Sequence, residues 1–248
     1  MTFRASIRAI LAAALALALS AAVAAAATIT GDDNDNVLTG TPTADQIDAM
    51  GGNDIVNALG GPDRVLAGDG DDQVDADRGR DGVRGGEGND TIRGGYGRDR
   101  LNGGDGDDQL SGGNGEDEIL GESGNDTLAG GEDRDLIRGR DGDDREDGGP
   151  GADVIYAGTG VDIAFGGPGD DRMFARAQGD VPVPGADTVF AGAGDDIVIV
   201  RDGEADVVGC GEGRDRVIAD AEDVIRDSCE RVRVGEPKPG DDAGEVGS

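Results

Sequence analysis

From Gly31 to Phe174 the chain divides without a gap into sixteen blocks of nine residues. Position eight is a large aliphatic side chain in fourteen blocks, and the exceptions are Glu146 and Ala164. Position six is Asp in fifteen, with Asn36 as the exception. Position four is Gly in thirteen, the others being Asn34, Thr43 and Asp133, and position one is always Gly or Ala. GGEGNDTIR (85–93), GGYGRDRLN (94–102) and GGDGDDQLS (103–111) show the pattern. The last three residues, x-aliphatic-x, predict a short strand with one inward side chain, because side chains alternate across a strand. The first six predict a tight turn, since glycine admits positive φ at no steric cost.

The phase predicts the architecture. Two blocks, eighteen residues, close one coil with two strands and two turns. Stacked coils bring strands to about 4.8 Å apart. Turns of blocks n and n+2 then lie above one another, and so do their Asp residues. The expected fold is all-β, a parallel β-solenoid that occupies residues 28–174. The phase breaks at "ARAQGDVPVP" (175–184), read as a surface loop because Pro182 and Pro184 disfavour a strand. Repeats resume over 185–218, with Asp187, Asp196, Asp206 and Asp215 at position six. Residues 219–234 are expected to cap the open end, with Val224, Ile225, Val232 and Val234 as apolar contacts. Residues 235–248 are expected to form a disordered tail.

The first 27 residues read as a cleaved signal peptide. Arg4 and Arg8 give a basic start, Ile10–Leu19 an apolar stretch and Ala21–Ala27 a small-residue cleavage region. Export then fits Cys210 and Cys229 as one disulfide. The expected localisation is extracellular, either released or held at the cell surface. No later segment is apolar enough to span a bilayer.

Composition narrows the chemistry. The chain carries 54 acidic and 22 basic residues, a formal charge of -32, 48 Gly and no His. That sign excludes nucleic acid as a natural partner and favours cations. A regular row of carboxylates at strand spacing repels itself, and a hard cation between adjacent turns relieves the repulsion. The turns offer oxygens only, without imidazole or a spare thiolate. Such donors suit calcium, which takes 6 to 8 oxygens in flexible geometry, better than magnesium, zinc or copper. The sixteen blocks contain fourteen pairs of type n, n+2, and one Ca²⁺ in each would bring +28 against -32. Binding and folding are then expected to be one process.

This G-G-x-G-x-D-x-aliphatic-x repeat resembles the hemolysin-type calcium-binding, or RTX, nonapeptide repeat, over roughly residues 31–218. The C-terminal CGEGRDRVIADAEDVIRDSCE is similar to the end of secreted actinobacterial members without a catalytic domain. The resemblance implies a right-handed parallel β-roll with multiple Ca²⁺ ions between successive turns. It implies ligation by the position-six side chains, completed by turn carbonyls such as those of Gly86, Gly88, Gly104 and Gly106. The implied side-chain ligands are Asp45, Asp54, Asp63, Asp72, Asp81, Asp90, Asp99, Asp108, Asp117, Asp126, Asp135, Asp144, Asp153, Asp162, Asp171, Asp187 and Asp196.

Three departures carry expectations of their own. Glu146 stands at an inward position, where a lone carboxylate is costly, so its coil is expected to open or the side chain to escape to the edge. Asp133 replaces a turn glycine and is expected to spoil its turn, with an added ligand as the alternative. Position nine is polar early, as at Thr39, Asn57, Arg84 and Ser111, but becomes Tyr156, Phe165, Phe174 and Phe190 later. These aromatics are expected to be covered by the 175–184 loop and the cap, with a partner or dimer surface as the alternative. Arg64, Arg80, Arg98, Arg100, Arg134, Arg145 and Arg172 are read as charge relief on solvated strand faces.

Catalysis is not expected. Without His, neither a His-dependent triad nor an H-E-x-x-H zinc site can form. Carboxylate pairs of the kind used by glycosidases are abundant, but their period assigns them to metal. The expected role is structural or interactive, with an adhesin-like surface solenoid and, further off, a carboxylate hydrolase as alternatives.

Overall fold

The computed structural model describes residues 25–176, 186–226 and 229–235. The expected signal segment up to residue 24, most of the 175–184 loop and the tail beyond residue 235 lie outside them. Every described element is a β-strand, and all strand pairs are parallel. One sheet of twelve strands runs from Thr28–Asp32 to Arg231–Val234. A second runs as a path of eleven from Val37–Thr39 to Val224–Ile225, with the short Arg78–Gly79 strand beside Thr91–Gly97. Successive strands alternate between the sheets, so each coil contributes one to each. Leu101 pairs with Ile119 in one sheet and Leu110 with Leu128 in the other, the eighteen-residue step expected of two blocks per coil.

The inward rows form a single core. Ile92, Leu101, Leu110, Ile119, Leu128 and Ile137 are all buried. Each such side chain contributes about 2–3 kcal/mol of burial. No coil can bury its row alone; neighbours on both sides close it. The strands exceed the expected triplets. Arg100–Asp105 and Gln109–Asn114 continue through the first three residues of the next block. The position-two glycines allow this by taking positive φ, +128° at Gly104 and +110° at Gly113, so the ladder turns the corner without breaking.

The strand Arg172–Arg176 runs through the first two residues of the expected 175–184 loop, with Ala175 buried in the core, and the register resumes beyond it. Phe165 pairs with Phe190, a step of 25 residues, and the stacked Asp162 and Asp187 keep their contact. The late aromatics fall on opposite faces, as alternate blocks require. Tyr156 stacks on Phe174 at 4.6 Å between centroids, and Phe165 on Phe190 at 5.2 Å. Arg138 lies over Tyr156, Arg145 over Phe165, and Arg226, from the cap region, over Phe190. Phe174 is buried with Ile199 and Ile218, and the other three aromatics are half-buried. Mutual stacking and arginine cover therefore account for much of this surface.

Several expectations need correction. Asp133 does not spoil its turn. It takes φ +81°, its amide donates to Pro150 O at 2.9 Å, and its side chain is exposed. Glu146 neither opens its coil nor escapes. Arg145–Asp147 pairs on both sides, and Glu146 points inward with none of its surface exposed. In the cap, only Ile225 and Cys229 pack against the core; Val224, Val232 and Val234 are exposed. The segment adds a further coil rather than folding across the end. Its strands pair with Val207–Glu212 and Arg216–Ala219, and Cys229 is bonded to Cys210 across 5.2 Å between Cα atoms.

Candidate metal centre

Alternation puts position six on the inward side, two residues before the aliphatic row, so each Asp sits where its turn enters the core. The candidate residues form two rows. One holds Asp54, Asp72, Asp90, Asp108, Asp126, Asp144, Asp162 and Asp187. The other holds Asp45, Asp63, Asp81, Asp99, Asp117, Asp135, Asp153, Asp171 and Asp196. All seventeen are buried, none more than 5% exposed. Within each row, one Asp amide donates to Oδ1 of the Asp a coil later, at 2.7–2.9 Å. Asp90 and Asp108 are neighbours in this sense, and Asp99 lies on the opposite edge.

Oδ1 is thereby satisfied, whereas Oδ2 has no partner in fifteen of these seventeen; Asp45 Oδ2 accepts from Thr41 N, and Asp206 and Asp215 join the fifteen. Asp90, Asp99, Asp108, Asp117 and Asp126 are among seventeen Asp residues whose buried Oδ2 has no hydrogen-bond partner. Leaving such an atom dry and unpaired costs about 1–3 kcal/mol. Position-one carbonyls converge on these oxygens: a Cβ at Gly85 would lie 2.0 Å from Asp90 Oδ2 and 2.6 Å from Gly103 O, and one at Gly103 would lie 2.1 Å from Asp108 Oδ2 and 2.9 Å from Gly121 O. Carbonyls at positions two and four approach the next turn instead. A Cβ at Gly104 would lie 2.1 Å from Gly86 O, and one at Gly106 would lie 2.3 Å from Gly88 O. The carbonyls of Gly86 and Gly88 thus point along the stack at the next turn, where Gly104 and Gly106 leave their oxygens uncovered.

The electrostatics demand a counter-charge. Two full charges about 4.8 Å apart repel by about 3–4 kcal/mol at an effective dielectric near 20. Accordingly the ladder carboxyls from Asp63 onward titrate high. Burial, with neighbouring carboxylates adding to it, lifts Asp90, Asp117 and Asp126 to about 7, and Asp135 and Asp144 to about 8. Asp187 rises to about 9 for the same reasons. Glu146 is pushed well above the carboxylate range by burial, then by Asp162 and Asp144. The donors fit a hard cation: unpartnered buried carboxylate oxygens, carbonyl oxygens directed at the same gaps, and an outer surface too acidic to neutralise them. Surface arginines relieve charge only locally, as in Arg100–Glu118 at 3.1 Å and Arg98–Glu116 at 3.6 Å, and exposed pairs of this kind are worth about 0–1 kcal/mol.

The structure adds residues that the nonapeptide period did not reveal. Asp223 and Glu230 extend the two rows beyond Asp206 and Asp215 into the last coil: Asp206 N donates to Asp223 Oδ1, and Asp215 N to Glu230 Oε2. Their signal was an acid two residues before an aliphatic, in DVI and ERV, without the glycines. A further ladder runs along one edge at position five, where Asn53, Asp71, Asn89, Asp107, Asn125 and Asp143 bond amide to side chain, 2.7–3.3 Å apart. Asn and Asp alternate by coil, which halves the charge on that exposed row.

These features define a class: a parallel β-solenoid whose turns line both edges with oxygen donors for hard cations. The profile described as RTX calcium-binding nonapeptide repeat (4 copies) matches residues 30–65, 50–83, 84–119, 120–145, 147–182 and 184–204. The chain belongs to this RTX calcium-binding repeat family. No curated protein matches it.

Proposed function

We propose that this is an exported structural or interaction protein whose roll folds on multiple Ca²⁺ ions. The ions lie between turns two blocks apart, held by Oδ2 of the two Asp rows and by turn carbonyls such as those of Gly86, Gly88, Gly104 and Gly106. The observation that carries this reading is the coincidence, coil after coil, of an unpartnered buried Oδ2 with a carbonyl aimed into the same gap. Each ion neutralises two carboxylates that otherwise oppose stacking. Extracellular calcium modules work at about 10⁻⁴ to 10⁻³ M. The chain is then extended where calcium is scarce and folds after export. Residues 1–27 serve as the export signal, and the N-terminus of the exported form is expected at Thr28. Among the described residues, no helix is long and apolar enough to cross a membrane. The Asp period commits the carboxylates to metal rather than to hydrolysis.

Calcium titration by calorimetry tests the assignment. Asp108 borders two intervals, with Asp90 and with Asp126. The full chain is expected to bind several ions and Asp108→Asn to lose one or two of them. A chain that binds none, or a variant with unchanged stoichiometry, contradicts it.

A further inference from the structure

Position eight departs from a large aliphatic at two places only, Glu146 and Ala164, and the structure stacks them on adjacent strands of one inward row. Above them the row continues with Leu128 and below with Val189, both buried. A carboxylate in a hydrocarbon row is expensive, and one standing beside the smallest side chain of that row leaves space next to it. Glu146 is fully buried, and neither Oε1 nor Oε2 has a hydrogen-bond partner.

The carboxylate is aimed at the Asp ladder. Oxygens of Asp144, Glu146 and Asp162 all lie within 4.8 Å of one another. Two donors on a Ca²⁺ ion, each ~2.3–2.6 Å from it, are at most about 5 Å apart, so three such oxygens fit one shell. Gly139 marks the point of convergence: a Cβ there would lie 2.2 Å from Asp144 Oδ2, 2.3 Å from Ala157 O and 2.6 Å from Glu146 Oε1. At the equivalent point on Gly121 the three nearest atoms are Asp126 Oδ2 at 2.1 Å, Gly139 O at 2.7 Å and Asp126 Cγ at 2.9 Å, with no other carboxylate among them. Glu146 therefore adds a third carboxylate, from the core side, to a place where the other coils offer the ladder pair alone.

We propose that Asp144, Glu146 and Asp162, with the Ala157 carbonyl, form a distinct buried Ca²⁺ site that binds more tightly than the intervals of the regular ladder. Ala164 leaves room beside it. The proposal rests on the calcium reading of the ladder for two of its carboxylates, while Glu146 is peculiar to it. Ligand charge count tunes calcium affinity in oxygen sites. The site fills first as calcium rises and seeds folding at the coils around residue 146.

Equilibrium dialysis of the full chain against chelator-buffered Ca²⁺ tests this, with Glu146→Gln, Glu146→Leu and, at a half-buried, arginine-paired position outside the site, Glu118→Gln compared. Glu146→Leu restores the leucine of the row and is expected to fold. At free calcium tenfold below the ladder midpoint, the wild type and Glu118→Gln are expected to hold one ion that Glu146→Leu lacks. Glu146→Gln is expected to weaken that ion at least tenfold, with ladder ions retained in both Glu146 variants. Equal counts and affinities in all four proteins overturn this site and leave the ladder standing, which is also the outcome if Glu146 takes a proton rather than an ion. Absence of bound calcium from every protein overturns both readings. An ion lost with Glu146 while no others bind supports this site and overturns the ladder.

Discussion

The central coils, residues 85–138, and the C-terminal coils, residues 186–235, share one ladder but are held together differently. In the centre the turns are glycine-rich, the outer strand faces are polar, and little besides the inward aliphatic rows opposes the repulsion of the Asp rows. Toward the C-terminus, Phe174, Ile199 and Ile218 bury a second apolar layer outside the coil, Phe165 stacks on Phe190, and Cys229 is bonded to Cys210. The same Asp row thus runs through a region that depends almost wholly on counter-ions and one with metal-independent support. Without calcium the two regions are expected to part company.

Acid gives the largest effect. In the metal-free fold Asp81, Asp90, Asp117 and Asp126 titrate near 7, raised by burial first, whereas unfolded Asp titrates near 3.9. A folded-state value above the unfolded one contributes stability that is present at low pH and lost as pH rises through the folded value. The metal-free chain is therefore expected to gain β structure as pH falls from 8 to 4, the reverse of ordinary acid denaturation. Asp187 at about 9 takes its proton first, but Asp135 in the centre and Asp206 both lie at about 8, so it is the disulfide and the aromatic stacking, more than titration order, that should let the C-terminal coils recover earliest. Hydrogen exchange along that pH series checks the order, and faster protection of residues 85–138 would reverse the comparison.

Next in size, Gly97→Ala strikes the centre. A Cβ there would lie 1.5 Å from Gly79 O at a residue with φ +138°. Strain and overpacking together cost about 4 kcal/mol. The calcium concentration needed for folding is expected to rise severalfold, while proteolytic resistance near residue 210 persists. A smaller loss is confined to the other end. Cys210→Ser removes a bond closing 19 residues of separation, worth about 3 kcal/mol in the chain-entropy model. Limited proteolysis under oxidising conditions should show cleavage near residues 219–234 before any in the centre; identical digestion of both proteins argues against the difference. The smallest effect has the opposite sign. Arg140 holds φ +92° where most blocks place glycine, so Arg140→Gly should stabilise the calcium-loaded roll by about 1 kcal/mol, read as a raised melting temperature.

Much of this was legible in the chain because a nine-residue period fixes side-chain direction at every position. Asp90, Asp99 and Asp108 could be assigned to alternate edges, and Ile92, Leu101 and Leu110 to the core, from phase alone. Where phase was lost, so was the reading. Asp223 and Glu230 continue the rows, yet their blocks have shed the glycines that made the others visible. An open last edge predicts a cap with Val224 and Val232 as contacts, whereas both are exposed and their strands extend the sheets. Glu146 is illegible for another reason: a lone buried carboxylate is costly, and Asp162, which joins it and Asp144, comes beside it only when the coils stack. Asp133 and Arg140 show that the turn tolerates a side chain at positive φ when the flanking ladder holds it.

The most direct test of calcium-coupled folding is far-ultraviolet circular dichroism of the full chain at neutral pH, first metal-free and then in millimolar Ca²⁺. The account predicts a largely unfolded spectrum that converts to β structure on calcium addition and returns with chelator. Metal-free and calcium-loaded spectra that superimpose would contradict it.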